Sequence, residues 1–101
     1  MNRVLLSESA EGDLAEIWFS IATGSIDTAD QLMDSLQAVM RKLAEQPLMG
    51  RARPDLAPDI RSFVHGKFVI FYKAMAQGVG VSRVIHGARD QRQIGLPPVE
   101  E

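Results

Sequence analysis

The chain has 101 residues, of which 46% are hydrophobic and 24% charged, and its formal net charge is −2. This length predicts a single domain, 1–101, and the composition is that of a globular protein. No apolar run reaches the ~18 residues of a membrane span, and the lack of cysteine excludes disulfides and thiolate metal sites. His65 and His86 match no metal-site spacing, so we expect no metal and no other cofactor. We expect a cytoplasmic protein, since the start of the chain lacks a signal-peptide pattern.

The first elements are a strand and a helix. The apolar run "RVLLS" at 3–7 predicts the strand. Four apolar residues then repeat with the 3–4 spacing of one helix face: Leu14, Ile17, Trp18 and Ile21. Ser7 or Ser9 can cap the start of this helix, and Gly24 with Ser25 marks its end.

A second helix follows after a short connection at 22–26, which predicts an antiparallel helical hairpin. Asp27 is the predicted N-cap, and Pro47 ends the helix. The apolar face of this helix keeps the same spacing: Ala29, Leu32, Met33, Leu36, Val39, Met40 and Leu43.

The second half of the chain predicts a loop and three strands. The stretch 47–59 is rich in Pro and Gly and carries Arg51 and Arg53. "IRSFVHGKFVIFYKA" contains two β-rich runs around a turn at His65–Gly66, and "VGVSRVIH" is a third run after "MAQG". The tail 95–101 has few apolar residues, and we expect it to be mobile. The order β-α-α-β-β-β predicts an α+β fold, with the helical hairpin packed on an antiparallel sheet.

Charge is unevenly distributed along the chain. Residues 1–50 hold three bases and eight acids, a net −5, whereas residues 51–101 hold eight bases and five acids, a net +3. The basic half can face an acidic partner or RNA. It can equally consist of solvated arginine and lysine side chains on the sheet surface and turns, and composition leaves both interpretations open.

Several chemistry-bearing side chains of the basic half lie close together in "VSRVIHGARD". His86 with Arg83 and Arg89 could supply parts of a metal-free acid–base site for RNA cleavage. Alternatively, these residues bind a partner. In a third interpretation they only fix the exit of the last strand, with Gly87 in a positive-φ conformation and Asp90 accepting backbone hydrogen bonds.

Four stretches together resemble the ParE toxins of the RelE/ParE toxin–antitoxin superfamily. The resemblance covers nearly the whole chain, 3–92, and the four stretches follow in the order and spacing of that family: "DLAEIWFSIA", "KLAEQPLMGRARPDL", "IRSFVHGKFVIFYKA" and "VSRVIHGARD". The resemblance implies the same β-α-α-β-β-β fold. It also implies the toxin of a type II module, of the kind associated with plasmid stabilisation, that inhibits DNA gyrase without catalysis of its own.

The resemblance further implies partners. A cognate ParD-like antitoxin of the ribbon-helix-helix class would neutralise the toxin in a hetero-oligomer, and the toxin itself would have no membrane and no specific DNA contact. Two alternatives stay open, because fold alone does not fix function. One is a RelE-type, ribosome-dependent mRNA endonuclease with His86 and Arg83 as catalytic candidates. The other is a non-toxic module that only binds an antitoxin.

Two sets of residues are candidates for these contacts. The target or partner contacts are predicted at Arg51, Arg53, Arg61, Lys67, Arg83, His86, Arg89, Asp90 and Arg92. The antitoxin groove is predicted at Leu14, Ile17, Trp18, Ile21, Leu36 and Met40.

Overall fold

The computed structural model describes residues 2–99 as two helices on a five-stranded sheet. The elements are β1 (Arg3–Leu6), α1 (Glu8–Ala22), α2 (Ile26–Glu45), β2 (Arg51–Ala52), β3 (Arg61–His65), β4 (Phe68–Met75), β5 (Gly78–His86) and a 3₁₀ turn (Gln91–Gln93). The strand order across the sheet is β1-β5-β4-β3-β2. Within the described residues, neither helix is long and apolar enough to cross a membrane.

The sheet confirms the α+β prediction and differs from it in two details. Strands β3, β4 and β5 form the predicted antiparallel meander, but β1 pairs with β5 in parallel, so the sheet is mixed. The reason is topological, because the meander brings β5 back beside β1 pointing in the same direction. The second difference is β2, two residues within the predicted loop that pair with β3.

Both helices begin at serine caps. The Ser7 hydroxyl accepts a hydrogen bond from the Ala10 N–H at 2.9 Å, which confirms one of the two predicted caps of α1. The cap of α2 is Ser25, which accepts from the Thr28 N–H at 3.1 Å, so the prediction of Asp27 was wrong. Asp27 lies inside the first turn instead, where its charge faces the positive end of the helix dipole.

Apolar side chains cover the sheet on both faces. The larger core lies between the helices and one face, where Leu36 and Leu43 of α2 meet Ile70 and Tyr72 of β4. A smaller cluster lies on the opposite face: Ile60, Val69, Phe71 and Ile85, with Leu56, Ala57, Ile94 and Leu96 packed against them. This arrangement explains why the sequence of β4 is apolar at both alternating positions.

The C-terminal segment crosses the face opposite the helices. The Ser82 hydroxyl donates to the Pro97 carbonyl at 2.7 Å, and Val99 is 9% exposed. Val99 lies over Gly80, where an added Cβ would approach the Val99 Cβ to 2.9 Å. The predicted mobility of 95–101 stays a prediction, and its last two positions, 100 and 101, lie outside the described residues.

The "PLMGR" loop is fixed to the central strand through one tyrosine. The buried Tyr72 hydroxyl donates to the Pro47 carbonyl and accepts from the Gly50 N–H, both at 2.8 Å. Arg61 donates to the Gly50 carbonyl at 2.8 Å. An added Cβ at Gly50 would overlap the Tyr72 hydroxyl, so the loop needs glycine here. Burial raises the pKa of the Tyr72 hydroxyl, which therefore stays protonated and donating.

Removing this hydroxyl tests its role. We expect Tyr72→Phe to lower the free energy of unfolding by about 1–3 kcal/mol, because the buried Gly50 N–H loses its acceptor. Urea denaturation measures the change. Thr23→Val is the control, since it removes an exposed hydroxyl that bonds the Ser20 carbonyl. Equal unfolding midpoints for Tyr72→Phe and the wild type would contradict the assignment.

Candidate functional site

An ion pair joins α1 to the last strand, β5. Arg83 donates through Nε to Asp13 Oδ2 at 2.7 Å and through Nη2 to Asp13 Oδ1 at 2.9 Å. The Asp13 carboxylate also accepts the Val84 N–H at 3.0 Å. The pair is largely buried, with side-chain exposures of 9% for Asp13 and 14% for Arg83. The hydrogen bonds to Asp13 raise the pKa of the Arg83 guanidinium.

The Asp13 carboxylate accepts a backbone hydrogen bond of β5 at an edge where no strand pairs with it. Strand β1 ends at Leu6, opposite Val81, so β5 has no strand partner on that side beyond this point. The Ser7 N–H still bonds the Val81 carbonyl at 3.0 Å, and the Ser7 hydroxyl donates to the Ser82 carbonyl at 2.7 Å. Asp13 then accepts the Val84 N–H. The first half of α1 is therefore fixed along the open edge of β5.

A cleft of about 560 Å³ lies between the second half of α1 and the turn that joins β3 to β4. We call it the α1–β5 cleft. Its main lining residues are Glu16, Ile17 and Ile21 of α1, Lys67 and Phe68 beside the turn, and His86 and Arg89 at the end of β5. Residues from both predicted sets thus meet here, because Ile17 and Ile21 belong to the groove set and Lys67, His86 and Arg89 to the contact set.

Backbone N–H groups hold the exit of β5 by donating to one carbonyl and to two side chains. The Gly87 N–H donates to the Lys67 carbonyl at 2.8 Å, and His86 Nδ1 accepts the Ala88 N–H at 3.1 Å. Asp90 caps the 3₁₀ turn by accepting the Arg92 N–H at 3.0 Å. Gly87 does not adopt the predicted positive φ; among residues 2–99 the residues with positive φ are Asp59, Gly66 and Gly78.

His86 has a defined environment but remains accessible. Its ring is exposed and contacts Phe68 edge to face, with 5.8 Å between ring centroids. Because Nδ1 accepts the Ala88 N–H, the neutral ring carries its proton on Nε2. Arg83 is held by Asp13 and also donates to the Gly95 carbonyl at 3.3 Å. The two catalytic candidates therefore differ in accessibility. The His86 ring is exposed and can contact a partner, whereas the Arg83 guanidinium is already hydrogen-bonded within the chain.

A second cleft, of about 500 Å³, lies around the 3₁₀ turn and the loop after β2. Arg53 forms a two-point contact with the Asp55 carboxylate at 3.0 and 3.1 Å and donates to Gln91 Oε1 at 2.8 Å. The hydrogen bonds from Arg53 lower the pKa of Asp55. Arg89 and Arg92 line the same cleft. Arg89 thus borders both clefts. Of the other predicted contact residues, Lys67 and His86 line the first cleft and Arg53, Asp90 and Arg92 line the second, whereas Arg51, Arg61 and Arg83 line neither.

The structure separates the six residues that the sequence predicts for an antitoxin groove. Leu36 and Met40 are 0% and 3% exposed and form part of the main core, so they cannot line a surface groove. Leu14 also packs against this core. Trp18 donates from Nε1 to Asp30 Oδ1 at 2.8 Å, which joins α1 to α2 away from the cleft. Ile17 and Ile21 are the members that line it.

In the part of the chain that the structure describes, no three histidine, aspartate or glutamate side chains are placed to share a metal ion.

Comparison with known proteins identifies the family. A family model described as the ParE toxin of the type II toxin–antitoxin system, parDE, matches residues 4–91. This chain belongs to the ParE toxin family. It is 33% identical over 91 residues to Toxin ParE1 of Mycobacterium tuberculosis, a match that covers 88% of this chain and 93% of the relative. It is 32% identical over 88 residues to Toxin ParE1 of Caulobacter vibrioides, covering 86% and 91%.

A solved structure shares the fold of this ParE-family chain. It is described as the chromosomal ParDE TA system from P. aeruginosa, and its matching chain superposes with a TM-score of 0.70 at 15% sequence identity. The match covers 82% of this chain and 92% of that chain. At this identity the likeness concerns the fold alone, and it agrees with the predicted RelE/ParE architecture.

The family motifs meet in pairs in this structure. Asp13 of "DLAEIWFSIA" and Arg83 of "VSRVIHGARD" form the buried ion pair. Tyr72 of the hairpin stretch holds Pro47 and Gly50 of "PLMGR". In this chain, the stretches that resemble the ParE family thus supply the contacts that fix the "PLMGR" loop and the first helix to the sheet.

Breaking the buried pair should destabilise the chain strongly. We expect Asp13→Ala to lower the free energy of unfolding by about 3–5 kcal/mol, because a buried guanidinium and the Val84 N–H both lose their partner. Asp13→Asn keeps an acceptor for that N–H, so it should lose less.

The matched control is Asp55→Ala, which removes a carboxylate that contacts an arginine in the same two-point manner but lies in solvent. Water screens that pair, so we expect little change in unfolding. Thermal and urea unfolding measure all three variants. The ion-pair assignment fails if Asp13→Ala and Asp55→Ala behave alike.

Proposed function

We propose that this ParE-family chain inhibits DNA gyrase by binding it, and that a ParD-like antitoxin neutralises this activity. The observation that carries the proposal is the family match over 4–91, together with a group of exposed basic side chains at the exit of β5. Lys67, His86, Arg89 and Arg92 project there from rigid backbone turns. Rigid presentation lowers the ordering cost of binding.

The charge of this surface suits an acidic protein partner. Among residues 2–99 the ion pairs are Arg53–Asp55 and Arg83–Asp13, which leaves Lys67, Arg89 and Arg92 without a carboxylate contact. Exposed guanidinium groups recognise carboxylates by paired hydrogen bonds. The acidic first half of the chain would orient the molecule so that the basic end meets an acidic surface first.

Two features support an antitoxin partner. The solved relative is described as a ParDE toxin–antitoxin system, which names a second component for that protein. The present chain also leaves apolar side chains accessible, with Phe19 67% exposed and Ile17 and Ile21 half-buried in the α1–β5 cleft. Such surface is typical of a protein that works in a complex. We therefore propose a hetero-oligomer with a ribbon-helix-helix antitoxin.

The engagement of Arg83 favours gyrase binding over RNA cleavage. A nuclease of this fold would need Arg83 to stabilise charge on the phosphate, but its guanidinium is bound to Asp13 and to the Gly95 carbonyl. Releasing it would leave the Asp13 carboxylate buried without a counter-charge. Cleavage would then depend on His86 with Lys67 and Arg89, the other basic side chains that line its cleft.

A supercoiling assay with purified gyrase tests the proposal. We expect the wild-type chain to block supercoiling, and Arg89→Glu combined with Arg92→Glu to raise the inhibitory concentration at least about tenfold, the equivalent of 1.4 kcal/mol. Arg41→Glu reverses an exposed charge on α2 and serves as the control, with unchanged inhibition expected.

Supercoiling that stays normal at excess toxin would refute gyrase inhibition. Transcripts in a translating extract form the second arm of the experiment. Cuts that disappear with His86→Ala would support the RelE-type activity in its place.

A further inference from the structure

We propose that an extended acidic segment of gyrase lies across the face of the sheet opposite the helices and pairs with the open edge of β3. This inference rests on the proposed function and adds to it the place on this chain where the target is bound and the chemistry of the bound segment. The place is a groove that runs from the exit of β5 to the strands β2 and β3.

The groove consists of two adjoining clefts. The second cleft, around the 3₁₀ turn, meets a third cleft of about 470 Å³ beside β2 and β3. Arg53 and Gln91 line both clefts, and the hydrogen bond between them lies where the clefts meet. The Arg53 guanidinium carbon lies 5.9 Å from the ring centroid of Phe71, which belongs to the apolar cluster on the face opposite the helices. We call the two clefts together, from Arg92 to Arg51, the sheet-face groove.

The outer end of the groove has an apolar floor. Val64 and Val69 pair across β3 and β4, so their side chains lie side by side on the same face. Leu56 and Leu96 pack against the apolar cluster that includes Val69. Val69 is 4% exposed, whereas Val64 is 65% exposed. A bound ligand can therefore still remove apolar surface from water at Val64.

The main chain of β3 is open beside this floor. Strand β2 pairs with the first two residues of β3, whereas β3 continues to His65. Alternate residues of an antiparallel strand turn their main-chain groups to opposite edges. The Ile60 carbonyl accepts the Arg53 N–H at 2.8 Å, so the even-numbered residues face the side of β2. Val64 is the last of these, and among the described residues no strand pairs with it on that side. Its N–H and carbonyl can pair with an added strand.

The charge of the groove is positive. Arg53 is paired with Asp55, and Asp90 accepts the Arg92 N–H. Four arginines and two carboxylates line the groove, which gives a net charge of +2. Three of the arginines are exposed and form no ion pair among residues 2–99: Arg51, Arg89 and Arg92. Because guanidinium groups bind carboxylates in two-point contacts, these positions suit aspartate and glutamate side chains.

A polypeptide fits this groove better than a nucleic acid. The arginines alone would suit phosphates too, but the Asp55 and Asp90 carboxylates would repel a continuous row of phosphates. A nucleic acid also has no amide main chain to pair with Val64. An extended peptide can pair at that edge while its acidic side chains contact the arginines. Arg89 and Arg92 already belong to the basic surface proposed to contact gyrase, so the groove continues that surface toward β3.

Titration calorimetry with purified gyrase subunits measures the contribution of the groove. We expect Arg51→Glu and Val64→Asp each to weaken binding about tenfold, because each places a carboxylate where the acidic segment binds. Val64→Pro should have a similar effect, because it removes the N–H at the open edge. The matched controls are Arg41→Glu on α2 and Ile26→Asp, which replaces an apolar side chain of similar exposure, 58%.

The two controls should change binding by less than about threefold. Circular dichroism and unfolding midpoints show whether each variant is folded. If Val64→Pro does not fold, Val64→Asp still tests the same position.

Photo-crosslinking identifies the occupant of the groove. A benzophenone amino acid in place of Val64 should crosslink to a gyrase peptide that contains several aspartate or glutamate residues. The same amino acid in place of Ile26 should give no such crosslink. Crosslinks from position 64 to the DNA of a gyrase–DNA complex, to a second copy of this chain or to a gyrase peptide without acidic residues would each overturn the inference.

The outcomes separate the inference from the proposed function. If the wild-type chain neither binds gyrase nor inhibits supercoiling, the proposed function fails, and the inference fails with it. If the wild-type chain inhibits gyrase but the folded Arg51→Glu and Val64→Asp variants bind as tightly as the controls, only the inference is overturned.

Discussion

The architecture depends on how the open edge of β5 is closed. Strand β1 is only four residues long, and β5 continues beyond it for five residues as an edge without a strand partner. The Asp13 carboxylate accepts the Val84 N–H at this edge and holds Arg83 in the same contact. One side chain thereby satisfies a backbone donor, neutralises a cation and sets the position of α1. The placement of every side chain that α1 contributes to the α1–β5 cleft depends on this position of the helix.

The arginines of the second half of the chain divide into two kinds. Arg53, Arg61 and Arg83 donate to loop carbonyls, to Gln91 or to carboxylates, and thereby join segments that are distant in sequence. Arg51, Arg89 and Arg92 are exposed, and the last two line the second cleft together with Arg53. Buried arginines need compensating partners, whereas exposed ones remain free to bind other molecules. The net charge of the basic half therefore overstates the charge available at its surface.

Much of the fold could be predicted from local patterns. Helical spacing located α1 and α2, and alternation around His65–Gly66 located the β3–β4 hairpin, because both periods reflect burial along one element. The direction of β1 could not be predicted in this way, since it depends on where the meander returns. The same limit applies to the six residues predicted for an antitoxin groove. Helical spacing identifies the apolar face of a helix, but it does not show that Leu36 and Met40 face the core while Ile17 and Ile21 border a cleft. The Asp13–Arg83 contact joins residues 70 positions apart, and only the family resemblance brought their motifs together.

The parallel pairing of β1 with β5 also bears on synthesis. Strand Arg3–Leu6 is synthesised before both helices, whereas its partner, Gly78–Val81, follows only after the helices and the strands β2 to β4. Until β5 emerges, α1 has neither the strand edge nor the arginine that hold it, and the cleft has only one wall. Contacts between distant segments form late because they must close long loops. A chain that lacks β5 therefore cannot form the α1–β5 cleft, and the docking of α1 on the sheet edge has to wait until β5 has been made.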